Sequence, residues 1–290
     1  MGLAYPIQKF QDWCTQQWVI LWGRKIKPEH HSWLMGPFGD LNGIGEQFIH
    51  ELAEKENLVI ERNSLSMGLI PSIVVVGLAP DDLSRLSKKI IAFYESTSDY
   101  NLQFGLQWNP IFKVFGTWVN MLFSNRINQL NIPTENIAEN ELLTSEIIAL
   151  RNPNTNEVVY RIWLRKFKSS GKVIYSGLYG TCKLPSGETC LKATFPLPKG
   201  NATVIMYIEV GTDGELILNS SGKKFGDAGF YFLLQDRKGM YWSQYIRSFR
   251  DRLTVCEREN SLTAEQVLTL WSKTVVRFNY NMEAKSIDDL

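Results

Sequence analysis

Histidine is scarce in this chain. His30, His31 and His50 are the three present in 290 residues. None has partners at the spacing of a metal site or of a His-based triad, so a capping or surface role is the expectation for each. The sequence has no G-x-S-x-G, H-E-x-x-H or G-x-x-x-x-G-K-[ST] motif, which leaves hydrolase, zincin and P-loop chemistry without a carrier. The four cysteines, Cys14, Cys182, Cys190 and Cys256, contain no C-x-x-C pair. Cys182 and Cys190 flank a turn at Pro185-Ser186-Gly187 and are expected to face each other across a hairpin, as free thiols or as a bridge. Net charge is +1, so no broad field argues for nucleic acid. The apolar runs near Ile73–Val76 and Phe115–Phe123 fall well short of the roughly 20 residues that cross a bilayer. Met1–Phe10 shows no signal-peptide pattern. The expected setting is the reducing cytoplasm, with no cofactor, no metal and no membrane-spanning segment.

Aromatic residues are abundant: nine Trp, eleven Tyr and fifteen Phe, more than a core of this size needs, and such side chains also line ligand pockets. Strand patterns dominate the second half. Runs near 142–150, 157–167, 172–181, 189–195, 202–210, 215–221, 229–235, 240–248 and 251–257 are separated by turn chemistry such as Asn152-Pro153-Asn154, Ser169-Ser170-Gly171 and Thr212-Asp213-Gly214. A capping box at Thr263 and Gln266 predicts a late helix to Trp271, followed by a closing strand from Thr274 to Met282. In the first half, helical spacing covers 6–22, a helix capped by Asn42 runs to Glu56, and a third starts at Pro80-Asp81-Asp82 and continues to Glu95. Short strands are expected at 58–60 and 102–108, and a further helix from Pro110 to Asn125. The polar stretch Asn131–Asn140 separates a helical part, residues 1–135, from a β part, residues 136–290, which are expected to pack as one unit. The fold class is therefore α+β: an N-terminal helical part on a large, curved, mostly antiparallel sheet, of helix-grip or open-barrel type.

Strand parity supplies the functional candidates. Arg161, Trp163 and Arg165 alternate on one face of their strand, and Tyr175 with Tyr179 on one face of the next. Lys192, Tyr207, Tyr231, Tyr245 and Arg247 continue the aromatic and charged pattern, whereas Ile174, Leu178, Val204, Met206 and Ile208 suggest an opposite, core-like face. Arg161, Arg165, Tyr175, Tyr179, Lys192, Tyr207, Tyr231, Tyr245 and Arg247 are thus candidate lining residues for a small hydrophobic or amphipathic molecule with an anionic head. A solvated sheet face with stacked cross-strand pairs explains the same pattern without a ligand. In Lys223-Lys224-Phe225-Gly226-Asp227-Ala228-Gly229, Asp227 either binds ligand or hydrogen-bonds its own turn. An enzyme on the same scaffold, with Asp227 or Glu209 as acid or base and a Tyr partner, is the alternative, and a protein-interaction module a third.

Four segments, Phe93-Tyr94-Glu95-Ser96-Thr97-Ser98, Gln129-Leu130-Asn131-Ile132-Pro133, Phe195-Pro196-Leu197-Pro198-Lys199-Gly200-Asn201-Ala202-Thr203 and Phe225-Gly226-Asp227-Ala228-Gly229-Phe230-Tyr231, together resemble a family of uncharacterised bacterial proteins. The resemblance implies no activity and carries over no catalytic residue. The order strands, late helix, final strand is also loosely similar to helix-grip lipid-binding proteins.

Overall fold

The computed structural model describes residues 10–39, 45–62, 64–113, 133, 135–259 and 261–285. Its centre is one antiparallel sheet that closes on itself. The fourteen strands are β1 (Arg24–Ile26), β2 (Val59–Glu61), β3 (Tyr100–Trp108), β4 (Ile137–Arg151), β5 (Val158–Phe167), β6 (Val173–Lys183) and β7 (Thr189–Leu197), then β8 (Gly200–Val210), β9 (Leu216–Asn219), β10 (Gly229–Gln235), β11 (Tyr241–Tyr245), β12 (Phe249–Arg258), β13 (Ser261–Leu270) and β14 (Lys273–Ala284). The ring runs β8-β7-β6-β5-β4-β3-β14-β13-β12-β9 and returns to β8, a ten-strand barrel. β8 makes the closure. Its first half, Gly200–Ile205, pairs with β10, and its second half, Tyr207–Val210, pairs with β9. The fork leaves β10, β11 and β1 as a flap continuing from the barrel wall.

Among the described residues are the helices α1 (Phe10–Trp22), α2 (Gln47–Glu56), α3 (Pro80–Arg85) and α4 (Lys88–Glu95). Three of them cover different parts of the sheet. α2 buries Phe48, Ile49 and Leu52 against the outer face of β4, β5 and β6. Phe93 and Tyr94 of α4, with Leu69 and Ile70, join the core inside the barrel. α1 lays Val19 and Ile20 on Leu234 of the flap, and Trp33 and Leu34 cover its other face at Ile205, Tyr231 and Leu233. The outer arc of β3, β14, β13 and β12 carries the facing residues Gln103, Asn281 and Thr263, and beside them Asn279 and Glu265. Facing inward on the same strands are Leu102, Phe104, Met282, Phe278 and Val255.

The segment read as a late helix is β13. Leu262, Ala264, Gln266, Leu268 and Leu270 alternate with a period of two, and β13 bonds to β12 on one side and β14 on the other. Pairing on both edges outweighs the helical propensity of Leu, Ala, Glu and Gln. The helix on which the helix-grip order rested is therefore a strand, and the expected curved sheet is a closed barrel. The helix from Pro80 divides in two, because Leu86 is extended and Ser87 starts α4 by accepting from the Lys89 N–H. Asn42 and the body of the helix expected to Asn125 lie outside the described residues.

Candidate functional site

The barrel encloses a cavity of about 500 Å3, within the range of small-molecule sites. Most of its wall is apolar: Leu191, Ala193, Phe195, Val204, Met206 and Leu218 on one side, Leu253, Val255, Leu268 and Val276 on the other. Gly177 faces Trp163 across β5 and β6. A side chain there would begin 2.6 Å from the Phe195 ring, so glycine lets that ring lie flat on the wall.

Into this surface projects a small polar group. Arg165 is 6% exposed. Its guanidinium carbon lies 3.9 Å from the Trp163 ring centre and 4.5 Å from that of Tyr175, and Nη2 donates to the Tyr179 hydroxyl at 3.0 Å. Stacking and one hydrogen bond hold the cation away from water, but Nε has no partner among the described residues. The Tyr280 hydroxyl sits close to the same guanidinium and also completes no hydrogen bond of good geometry. Asp251 accepts from Gln266 Nε2 at 2.7 Å through Oδ2, while Oδ1 is buried with no partner among the described residues. Burial pushes the Asp251 carboxyl up to about 7, against the opposing pull of Gln266. It pushes Tyr280 to about 12 and Tyr175 well above the usual phenol range, with Arg165 pulling both down. A carboxyl, a cation and phenols thus share one apolar chamber, and among the described residues Arg165 Nε, Asp251 Oδ1 and the Tyr280 hydroxyl keep hydrogen-bonding capacity unspent.

Strand register decides which candidate residues meet. Tyr179 stands opposite Ala193, and Ala193 opposite Val204, so the tyrosines share the cavity face with Val204 and Met206. Lys192 stands opposite Gly180 and Ile205, on the other face. The expected single lining set therefore divides. Arg165, Tyr175 and Tyr179 line the cavity. Arg161 faces the same way, opposite Tyr179, but lies outside the lining, half-buried near Arg151. Lys192 is held under the Trp33 segment, where its ammonium donates to the Met35 carbonyl; burial lowers it to about 8.

Tyr207, Asp227, Tyr231 and Tyr245 form a knot on that same outer face. Asp227 Oδ2 accepts the Lys223 and Lys224 N–H groups at 2.9 and 3.1 Å, so the carboxylate closes its own turn. The Tyr231 hydroxyl donates to the Asp227 carbonyl at 2.5 Å and accepts from the Gly226 N–H at 3.1 Å; Tyr245 donates to the Gly222 carbonyl at 2.7 Å. Gly229 is required here, since a side chain would start 2.3 Å from the Tyr245 ring. Arg247 is exposed and donates to the Lys223 carbonyl at 3.0 Å. Glu209 is also exposed. Cys182 and Cys190 do face each other, as free thiols pushed up by burial.

Sequence reasoning missed Asp251, Gln266 and Tyr280. The signal for Asp251 exists: Phe249, Asp251, Leu253 and Val255 alternate inward on β12, one carboxylate in an apolar row.

The chain resembles one curated bacterial protein. It is 25% identical over 241 residues to the "Uncharacterized membrane protein YndJ" of Bacillus subtilis (strain 168), a match covering 82% of this chain and 41% of that protein. The chain thus spans less than half the length of this relative. No family model matches the chain, and no solved structure does. Among the described residues, no helix is long and apolar enough to cross a membrane.

Proposed function

We propose that the barrel binds a small amphipathic molecule, with its apolar body in the cavity and an anionic head at Arg165 and Tyr280. One observation carries the reading: among the described residues, a buried cation keeps an N–H without a partner beside a hydroxyl that completes no hydrogen bond of good geometry, in an otherwise apolar chamber. Leaving such donors unmet costs on the order of 1–3 kcal/mol each, and a carboxylate, sulfonate or phosphate head satisfies both. A relative named as a membrane protein supports a lipid-like cargo. The barrel is apolar inside and polar along its uncovered arc, the reverse of a barrel that spans lipid with its outer wall. The test is native mass spectrometry of freshly purified protein, followed by solvent extraction. Retention of an acidic amphiphile in the wild type and its loss in Arg165→Gln supports the reading; equal retention in both refutes it.

Asp251 favours a second reading. A carboxyl near pH 7 in an apolar cavity, beside phenols, is poised to exchange protons. An acid–base enzyme would yield chemically different extracts from wild type and Asp251→Asn, substrate accumulating in the variant. A binding protein would yield the same compound from both.

A further inference from the structure

We infer that one end of this barrel docks on the surface of an anionic lipid bilayer, using exposed tryptophans of two elements and a rim of basic residues. The helix α1 turns Val19 and Ile20 inward but leaves Leu21 and Trp22 73% exposed. Its Trp18 bridges the two environments: the ring packs edge-on against Phe232 at 6.0 Å, lines the cavity and is still partly open to solvent. Phe249 and Leu270 line the same end of the cavity and stand opposite each other on β12 and β13. Trp271 follows Leu270 at the tip of the β13–β14 turn, tied by its N–H to the Ser248 carbonyl.

Trp271 is the telling residue. It is 71% exposed, with φ at +49°, and its neighbour Ser272 has φ at +64°. A two-residue turn with both φ values positive favours Asn-Gly, and a bulky side chain in that conformation is an outlier. Trp at this tip buries little and strains its backbone, so the fold does not explain it. Tryptophan is the side chain that sits best at the level of lipid headgroups.

Charge supports the same partner. Arg24, Lys25 and Lys27 follow α1, Arg247 and Arg250 lie where β12 begins, and Lys273 follows the Trp271 turn, in a chain whose net charge is only +1; Asp12 and Glu29 flank the first group. All six cations are exposed. Exposed indole and aliphatic groups beside exposed cations match an anionic membrane interface. Docking in this way would set the Trp18 end of the cavity against the bilayer, where an amphipathic molecule could enter; that consequence, but not the docking itself, rests on the function proposed above.

The test is flotation of the whole protein with vesicles of phosphatidylcholine alone and of phosphatidylcholine containing phosphatidylglycerol. The protein should float with the anionic vesicles, less at high salt, and weakly or not at all with the neutral ones. Arg250→Glu and Lys273→Glu should each lower the partition coefficient roughly fivefold. Trp22→Ala and Trp271→Asn should lower it by roughly tenfold. Trp271→Asn suits the turn better than tryptophan does, so its thermal midpoint should match or exceed the wild type, which separates docking from folding. Failure to float with anionic vesicles overturns the proposal, as does wild-type flotation by Trp271→Asn. Self-association in sedimentation velocity that Trp22→Ala abolishes, without vesicle binding, would assign the patch to a second copy of the chain instead. Because flotation reads docking alone, an empty cavity leaves its outcome intact.

Discussion

The Arg165 guanidinium donates to the Tyr179 hydroxyl at 3.0 Å, and this bond ties β5 to β6 inside the cavity. Tyr179→Phe removes the acceptor and strands a buried charged donor, which should cost about 1–3 kcal/mol in urea unfolding. Arg165→Met in the Tyr179→Phe background should recover part of that loss, because an apolar pair leaves nothing unsatisfied. Strictly additive losses would show that the bond does not couple the two residues.

Asp251 should make stability fall as pH rises. Its folded value of about 7 lies above the ordinary 3.8, so between these limits the native state holds a proton that the unfolded chain has released, and the stabilising proton is lost as pH climbs through 7. Asp251→Asn should be free of that decline. The gap between variant and wild type should widen from pH 4 to pH 8, by at most about 4 kcal/mol. Parallel stability–pH curves would show that the carboxyl is not shifted.

The outer knot and the cavity should behave independently. Tyr231→Phe deletes the hydroxyl that bridges Gly226 and Asp227 and should cost about 1–3 kcal/mol in thermal or urea unfolding. Binding of dodecanoate should stay within about twofold of wild type, since additivity holds for separate sites. A large loss of binding in a folded Tyr231→Phe protein would place the knot in the site after all.

Much of the wall was legible because turn residues and period-two alternation are local. The strands from Val158 to Val210 follow from that pattern nearly to their ends. What parity cannot supply is phase from one strand to the next. Tyr179 and Lys192 look alike in their strands, yet the register set by Cys182 opposite Cys190 puts them on opposite faces. The expected cysteine pairing carried that register, so it was available in the sequence. Closure was not: it depends on β8 pairing with β10 along one half and β9 along the other, a long-range choice with no local mark. β13 was hidden by residues that favour a helix when alone, and Gln266 with it.

Calorimetric titration of dodecanoate and of dodecanol into wild type and Arg165→Gln tests the central claim, that Arg165 holds an anionic head inside the barrel. The account predicts that wild type binds dodecanoate at least about tenfold more tightly than dodecanol, and that Arg165→Gln binds the two alike, having lost a charge-assisted bond worth roughly 1.5–3 kcal/mol. No binding of dodecanoate by wild type, or the same preference in both proteins, would contradict it.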